Sequence, residues 1–489
     1  MNLPVVADDV ATKEAEQVRA KKYKMTVRLN TKKNSLSEKV QVDIVNHTSN
    51  KVQVICFRNM AESVLRYDKK YYKTKENKKK KSVIQWVKNP KGKKLSIRYK
   101  KDASIFYVNL GRKGLKPGES IQMTIKAKTD IPKREDRFGY SEDGKKKMYA
   151  LSFCFPYLAD NGNGSWNFDP YFDDGESRAS EVTDYKVKFI APKNYVVAST
   201  GSHQTKNGIT KITAKKVRDF AIVASNYLQK ESFKVSGITI NNYYFPGKNA
   251  KKYRKICKLV ARDAVSIFTK QIGKCPFQQL DMVACRLEAG FGGMEFPGLL
   301  MNNASAYYGD EQAANDPYSL QEVVVHEIAH QWFYAGVGND EYKEGWLDEG
   351  FTTYLEQVLY GLTDSKSMRY VRKLAKEEKT ILDFQKEFDE IVQAEHQSNQ
   401  TNYINIPVRN YSKKMVYGER EYEGGKMFLC ELNLVMGKEK FGNFLMEYYK
   451  EYLFKKATTS DVLALIRKYD NEKDVNAVIK KYIRSSYLM

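Results

Sequence analysis

The sequence predicts a multidomain α+β protein, with an antiparallel β domain in its first half and an α/β and helical domain in its second. A chain of 489 residues is too long for one small core. Its apolar residues alternate with polar ones up to about residue 228 and recur at helical spacing after Phe233. We therefore place a flexible tail at 1–22, an N-terminal β domain at 23–228 and a second domain at 229–489.

Four runs of alternating residues carry the prediction of the β domain. One-sided burial of a strand produces this period of two, and turn formers such as Pro117-Gly118 bound the runs. The apolar members of the runs are Met25, Val27 and Leu29; Val40, Val42 and Ile44; Ile121, Met123 and Ile125; and Tyr185, Val187 and Phe189. Residues 1–22 are polar and charged, which is typical of a loose terminus.

The second half changes its period and predicts helices around one apolar strand. Apolar residues at i, i+3 and i+4 spacing indicate a helix that buries one face. This stripe consists of Ile256, Leu259, Val260 and Ala264. The apolar run through Leu280, Met282 and Val283 predicts a strand, and the chain after Met368 is mostly helical in pattern.

A metal site is indicated by His326 and His330, which are followed by Glu349. On a helix, residues four apart lie on one face, so the two imidazoles can reach one small cation. Two His and one Glu form a known catalytic zinc set that leaves one coordination position open. Glu327, beside the first ligand, is the natural general base for a metal-activated water.

The surroundings of this motif strengthen the assignment, because a bare HExxH match also occurs by chance. Two amphipathic helices are predicted on either side of the ligands, so the histidines face away from the core stripe. The apolar stripes are Val325, Ile328, Ala329 and Trp332, and Phe351, Tyr354, Leu355 and Val358. The chain has only five His, and the other three, His47, His203 and His396, look incidental.

The net charge of +24 is of the sign and size found in proteins that bind polyanions. The basic runs, such as Lys78 to Lys81 and Lys145 to Lys147, are short, separated and not interleaved with aromatic residues. We therefore expect solvated loops and no nucleic-acid partner. A weak association of these Lys-rich loops with anionic surfaces stays open.

Cysteine usage and hydropathy further restrict the class of protein. The six Cys are scattered without a CxxC pair, so neither a Cys-based metal site nor a disulfide framework is expected. No apolar run reaches eighteen residues, and the first 22 residues contain no signal-like apolar stretch. We expect a soluble chain without a transmembrane segment, either cytoplasmic or secreted or at the cell surface with its signal already removed.

Three motifs together resemble those of one protein family. They are HEIAHQWF at 326–333, WLDEGF at 346–351, and Gly292-Gly293-Met294-Glu295. In this order and spacing they resemble the aminopeptidase N (membrane alanyl aminopeptidase) family of gluzincin zinc metallopeptidases. Val217-Arg218-Asp219-Phe220 and Ala191-Pro192 extend the resemblance to about 23–489.

The resemblance implies an N-terminal β-saddle domain followed by a thermolysin-like catalytic domain. It implies one zinc ion per chain, held by His326, His330 and Glu349, with Glu327 as the general base. The implied activity is the release of N-terminal residues from peptides with a free N-terminus. The long C-terminal helical domain of the larger family members is expected to be absent.

The resemblance also implies how a substrate would be held. Glu295 would pair with the α-ammonium of the peptide, and this contact would set the first peptide bond over the metal. Gly292, Gly293 and Met294 would offer a backbone edge to which the peptide adds like a strand. Phe296 stands where the family has Asn, so the shape of this subsite is open.

An oxyanion donor is implied at a tyrosine that precedes a glycine by three positions. Tyr422 fits best, before Gly425, and Tyr417 is the alternative. Two other functions stay open: a thermolysin-like zinc endopeptidase, and a catalytically silent protein that binds a surface. Glu295 favours the aminopeptidase over the endopeptidase, because an anion at the substrate edge attracts an N-terminal ammonium.

Overall fold

The computed structural model describes residues 17–71, 74–101, 103–162, 165–172, 181–288, 291–303, 317–398, 400–410 and 414–484. Of the predicted tail 1–22, residues 1–16 lie outside the described residues. The first strand begins at Val18, so residues 18–22 belong to the sheet and not to a tail. The reason is backbone pairing: Val18 lies opposite Asn46 of the next strand, and such pairing does not require apolar side chains.

The strands occupy most of the first half. Those before residue 160 are β1 (Val18–Asn30), β2 (Ser35–Asn46), β3 (Val54–Arg58), β4 (Ser82–Lys88), β5 (Ser96–Tyr99), β6 (Ile105–Asn109), β7 (Ser120–Asp130), β8 (Phe138–Asp143), β9 (Lys146–Leu151) and β10 (Tyr157–Leu158). The later strands are β11 (Thr183–Ile190), β12 (Val196–Ser199), β13 (Ser202–Lys206), β14 (Ile209–Val217), β15 (Ile222–Ser225), β16 (Gln229–Val235), β17 (Ile238–Tyr244), β18 (Gln279–Cys285), β19 (Gly293–Met294) and β20 (Leu299–Asn303).

Helices dominate the second half. The described α-helices are α1 (Met60–Tyr71), α2 (Ala250–Gln271), α3 (Pro317–Ala329), α4 (Trp346–Tyr354), α5 (Lys366–Ala375), α6 (Ile381–Gln397), α7 (Lys414–Tyr417), α8 (Gly425–Met436), α9 (Lys438–Tyr452), α10 (Thr459–Tyr469) and α11 (Lys473–Tyr482). Two π-helical segments, Leu355–Tyr360 and Gly418–Gly424, and a 3-10 turn, Val408–Asn410, complete the set. The predicted stripe and strand fall in α2 and β18. No helix in the described parts of the chain is both long and apolar enough to cross a membrane.

The main sheet of the first half has seven strands in the order β13-β14-β11-β1-β2-β7-β4. The four predicted runs are confirmed as β1, β2, β7 and β11. The prediction of a purely antiparallel domain is wrong in one place, because β1 and β11 pair in parallel, with Met25 opposite Val187. These two strands are not joined by a hairpin. The chain between them forms β2 to β10, which include one complete four-stranded sheet and half of another.

Three further sheets complete the β structure. Two have four strands each, in the orders β10-β3-β6-β5 and β12-β15-β9-β8, and one has five, in the order β16-β17-β18-β20-β19. In the five-stranded sheet β17, β18 and β20 are parallel, and β19 is an antiparallel edge strand. The predicted domain boundary at 228 falls between β15 and β16 and stays a prediction.

Two large hydrophobic clusters form the interior. One lies under the seven-stranded sheet and includes Val40, Val42 and Ile125, all fully buried. The other surrounds α2, α3 and β18, and it also takes in Met148 and Val223 from the first half. The two halves therefore share buried apolar contacts. All six Cys are free thiols, and five of them are buried.

Glu38 of β2 is an acidic residue on the buried side of this sheet, with 0% of its surface exposed. Burial raises the pKa of its carboxyl from 4.5 to about 8. The folded protein therefore keeps a proton between about pH 4.5 and pH 8 that the unfolded chain has lost. Stability is consequently lost as pH rises through this window, by up to about 1.4 kcal/mol per pH unit.

We predict that Glu38→Gln removes this loss of folding stability with rising pH. The melting temperature of the variant relative to the unmodified protein should rise by roughly 2–5 °C for each pH unit between pH 5.5 and 7.5, measured by differential scanning fluorimetry. Glu119→Gln, which replaces an exposed carboxylate in the same half, is the control. A constant difference in melting temperature across this pH range would contradict the prediction.

Candidate active site

Helix α3 presents two histidines to a pocket because its other face is anchored in the core. Its apolar stripe, Val325, Ile328, Ala329 and Trp332, is completely buried, as the sequence predicted. The regular helix ends at Ala329, but the backbone N–H of His330 still donates to the carbonyl of His326 at 3.1 Å. The two imidazoles therefore lie one turn apart, with ring centroids separated by 4.7 Å.

Glu349 reaches these histidines because α4 and α8 approach each other backbone to backbone. Gly350 and Gly425 meet at the crossing, where a Cβ on Gly350 would lie 2.8 Å from the Cα of Gly425. Any larger residue at either position would push the helices apart. The contact fixes α4 so that the carboxylate of Glu349 points at α3.

Three side chains converge on one point. The Nε2 atoms of His326 and His330 are 3.1 Å apart, and they lie 3.2 and 3.3 Å from the same oxygen, Oε2 of Glu349. One ligand atom from each residue lies within 4.8 Å of the others. Two imidazole nitrogens and a carboxylate oxygen match the preferences of a catalytic zinc ion. The donor set therefore fits the metal that the sequence suggested.

The other nitrogen of each imidazole is held by acidic groups. His326 Nδ1 lies 3.0 Å from Glu356 Oε2, and His330 Nδ1 lies 2.7 Å from Asp348 Oδ1 and 3.0 Å from the hydroxyl of Thr352. Carboxylates in this position fix the tautomer and orientation of metal-binding histidines. The sequence interpretation missed both acids. Asp348 precedes a ligand directly, and Glu356 follows it by two helical turns, which could have signalled them.

The electrostatics of the cluster favour a cation between these groups. Burial lowers the pKa of His326, but hydrogen bonds to Glu349 and Glu356 outweigh it and raise this pKa to about 10. The pKa of His330 is likewise raised, since Asp348 and Glu349 outweigh burial. Burial opposes ionisation of Glu349, yet the two imidazoles lower its pKa. Positive charge is thus strongly stabilised at the point where the ligands meet.

A cavity of about 380 Å³ opens onto the three ligands. All the residues that the sequence nominated line it, which brings the separate motifs into one site. They are Gly292, Gly293, Met294, Glu295, His326, Glu327, His330, Glu349 and Tyr422, with the alternative Tyr417. Arg137, Glu322 and Glu356 also line the cavity and were not nominated. Glu327 and Glu295 are buried, and burial raises the pKa of Glu327 to about 7.

The predicted substrate edge is an edge strand of the five-stranded sheet. Residues Gly293 and Met294 form β19, which pairs only with β20 in the described sheet, with Gly293 opposite Asn302. A Cβ on Gly293 would lie 2.3 Å from Oε1 of Glu327, so this backbone packs directly against that carboxylate. Phe296 is 1% exposed and belongs to the hydrophobic cluster, so it does not line the cavity.

Tyr422 lies over the ligands, on the π-helical segment Gly418–Gly424. Its hydroxyl donates to Oε1 of Glu349 at 2.5 Å, and its ring stacks on His326 with a centroid distance of 5.7 Å. The ring of Tyr417 lies 5.9 Å from that of Tyr422, and both tyrosines line the cavity. The hydrogen bond to Glu349 places the hydroxyl of Tyr422 at the ligand cluster.

Comparison with known proteins points to one family. Residues 264–482 match the model of the Peptidase family M1 domain. Leucine aminopeptidase 2 of Phaeosphaeria nodorum is 25% identical over 193 residues, which cover 39% of this chain and 29% of that protein. Aminopeptidase M1 of Arabidopsis thaliana is 25% identical over 360 residues, covering 71% of this chain and 38% of that protein.

The fold is similar to that of solved structures over nearly its whole length. The crystal structure of an M1 zinc metallopeptidase from Deinococcus radiodurans aligns with a TM-score of 0.65 at 15% sequence identity, covering 96% of this chain and 94% of the other. This likeness concerns the fold. The chain spans less than a third of the length of the leucine aminopeptidases 2 that it matches, at 29% and 30% for two of them.

We predict that the acids behind the histidines set the metal affinity. Asp348→Asn and Glu356→Gln should each weaken zinc binding by about 10- to 100-fold, because they loosen the orientation and basicity of an imidazole. His330→Ala should abolish stoichiometric binding. Competition with a fluorescent chelator measures the dissociation constants. Asp364→Asn, which removes an exposed ion-paired carboxylate, is the control. Unchanged affinity in both acid variants would exclude this role.

Proposed function

Because the chain belongs to peptidase family M1, we propose that it is a zinc-dependent aminopeptidase that releases N-terminal residues from peptides. The observation that carries the proposal is the presence of Glu295 in the same cavity as the three metal ligands and Glu327. The ligands and Glu327 support peptide hydrolysis in general. Glu295 supports the choice of the first peptide bond.

His326, His330 and Glu349 would hold the zinc ion. When bound, zinc would supply Lewis-acid activation of water and of the scissile carbonyl. Asp348 and Glu356 keep both Nε2 atoms directed at the ligand point through their contacts with the Nδ1 atoms. These contacts would hold the donor set in the orientation that a bound zinc ion requires.

Glu327 would act as the general base and then as the general acid. Its carboxylate lies in the cavity wall between the first ligand and the substrate edge, against Gly293. From there it can take a proton from the attacking water and return it to the leaving amine. Such proton transfer by a positioned group contributes typically about 10²- to 10⁴-fold in rate.

Glu295 would bind the α-ammonium of the substrate. Glu295 is 7% exposed, and it follows directly after the edge strand β19. A peptide that adds to this edge with its ammonium on Glu295 is stopped in register, so that its first peptide bond faces the ligands. A charge-assisted hydrogen bond in a largely buried wall is strong enough to select free N-termini.

Tyr422 would donate to the oxyanion that develops on the carbonyl. Its hydroxyl already lies at the ligand cluster, hydrogen-bonded to Glu349. Burial and the nearby Glu349 raise the pKa of Tyr422 well above 10, which keeps the hydroxyl as a donor. A donor fixed before reaction stabilises the transition state without reorganisation.

We predict that the enzyme cleaves aminoacyl chromogenic substrates and rejects their N-acetylated forms, since acetylation removes the charge that Glu295 binds. Glu295→Ala should lower kcat/KM for free N-termini by about 10²-fold or more, because loss of registration displaces the scissile bond. Activity should disappear with a chelator and return with zinc. Glu423→Gln, at an exposed ion-paired carboxylate, is the matched control.

The outcomes of this assay separate three functions. Efficient internal cleavage of N-blocked peptides, with Glu295→Ala unaffected, would show a zinc endopeptidase and end the aminopeptidase proposal. Zinc binding without hydrolysis of any peptide would leave a catalytically silent binding protein. Loss of cleavage on acetylation alone, with Glu295→Ala unaffected, would place the ammonium site elsewhere.

We predict that Tyr422→Phe lowers kcat by about 10²- to 10³-fold with a much smaller change in KM, since the lost hydrogen bond acts in the transition state. Tyr417→Phe is the natural comparison, because it removes the other hydroxyl of the same wall. Steady-state kinetics on one dipeptide decide between them. If only Tyr417→Phe shows the kcat effect, the donor is Tyr417.

A further inference from the structure

The seven-stranded sheet has one buried face and one face in solvent. Along β1, for example, Met25 and Val27 are buried, whereas Lys24, Thr26 and Arg28 are exposed. The strands β2, β7, β11 and β14 alternate in the same way. The outward positions of neighbouring strands lie side by side because the pleats of paired strands are in phase.

Eight of the outward cations define what we call the basic sheet face. They are Lys24, Arg28, Lys39, Lys126, Lys128, Lys186, Lys188 and Lys211. All are exposed except the half-buried Lys126, whose ammonium donates to the hydroxyl of Ser37. None lies in the lysine runs noted in the sequence, because strand alternation separates them by polar or apolar neighbours.

The strand register places like charges directly opposite each other. Lys24 pairs with Lys186 and Lys39 pairs with Lys126, while Lys188 lies opposite Lys211. Like charges in cross-strand pairs destabilise a sheet, and opposite charges would stabilise it. The pattern therefore costs the fold stability, which indicates a use other than folding.

Carboxylates do not neutralise this face. Among the described residues, none of the eight cations forms an ion pair, since no Asp or Glu oxygen lies within 4.0 Å of them. Three outward acids lie on these strands. Asp43 and Asp184 lie toward one end, both opposite Lys22, and Asp130 ends β7 at the other end, where it accepts from the backbone N–H of Lys81. Asp43 accepts from the side chain of Gln122, and Asp184 accepts from the backbone N–H of Lys216.

The cations form a two-dimensional array and not a line. Five neighbouring strands carry them, which corresponds to about 19 Å across the sheet, and Lys24 to Arg28 covers about 13 Å along a strand. Neighbouring cations are much closer than these overall dimensions, at about 5 Å between adjacent strands, which is less than the screening length of about 8 Å at physiological salt, so neighbouring charges act together. A broad array of this kind is complementary to a flat anionic surface.

We propose that the basic sheet face binds the surface of an anionic phospholipid bilayer. Long lysine side chains can adapt to headgroups without a fixed binding geometry. Trp86 of β4 lies opposite Lys126 at the edge of the array, and an indole is suited to the lipid–water boundary. The positions between the cations, such as Thr26, Gln41 and Thr124, are uncharged and polar, and supply no stacking platforms for a nucleic acid.

Vesicle co-sedimentation of the full chain tests the proposal. The protein should bind vesicles containing 30 mol% phosphatidylglycerol in phosphatidylcholine, release at high salt, and ignore pure phosphatidylcholine. A triple variant, Lys24→Gln, Lys39→Gln and Lys188→Gln, should bind about a hundredfold more weakly, since each cation near such a surface contributes about fivefold. Its melting temperature should be unchanged or higher, because like-charge pairs are removed.

A second triple variant controls for net charge. Lys251→Gln, Lys373→Gln and Lys450→Gln remove three exposed cations from α2, α5 and α9, and should leave vesicle binding and dipeptide hydrolysis nearly unchanged. Equal loss of binding in both variants would overturn the proposal in favour of a general charge effect. Absence of binding by the unmodified protein, or tighter binding to duplex DNA than to vesicles, would also overturn it.

Discussion

One buried and one half-buried imidazole share a small space with a buried carboxylate, and the arrangement of the second half follows from that requirement. Ionised groups away from water are costly unless each is paired and hydrogen-bonded. Here Oε2 of Glu349 faces both histidines and Oε1 accepts from Tyr422, while Glu356 and Asp348 flank the outer nitrogens. These charged groups therefore all have hydrogen-bond partners only when α3, α4 and both π-helical segments are folded against one another.

The helices achieve this convergence by two local devices. The Gly350–Gly425 contact lets α4 and α8 approach closely enough for the π-helical segment before α8 to reach the ligands. The π-helical geometry, at Leu355–Tyr360 and Gly418–Gly424, turns Glu356 and Tyr422 inward. π-Helical turns are rare and concentrate at functional sites, because they redirect side chains at some cost in helix stability. Both π-helical segments contact the same histidine, His326, through Glu356 and Tyr422.

The sequence could predict the parts of this site that depend on local spacing. The positions of His326, His330 and Glu349 follow from helical periodicity and a motif, and the structure brings them together. Asp348 and Glu356 lie at suggestive distances along the chain from Glu349, but their contacts with the histidines depend on which face of α4 and of the following π-helical segment meets α3. Likewise, the parallel pairing of β1 with β11 depends on how intervening sheets pack, and alternation in strands says nothing about the direction of the neighbour.

The β half is part of the site and not an appendage. Arg137, which directly precedes β8, lines the cavity beside Phe291. The distance between its guanidinium carbon and the ring centroid is 5.4 Å. Arg134 forms an ion pair with Glu288, three residues after β18, with 2.7 Å between Nε and Oε1. Arg218 is buried and donates to the carbonyl of Gly336, six residues after the second histidine.

These contacts assign different constraints to the two faces of the β half. Its inner surface must fit a core and the walls of a charged cavity, so residues there are determined by packing and pairing. Among the described residues, the outward cations of the seven-stranded sheet belong neither to this core nor to the cavity wall. These side chains can therefore change charge without disturbing the site, because solvent screens them from it. The array of like charges on this face is therefore not explained by the core or the cavity, which is why the pattern is informative.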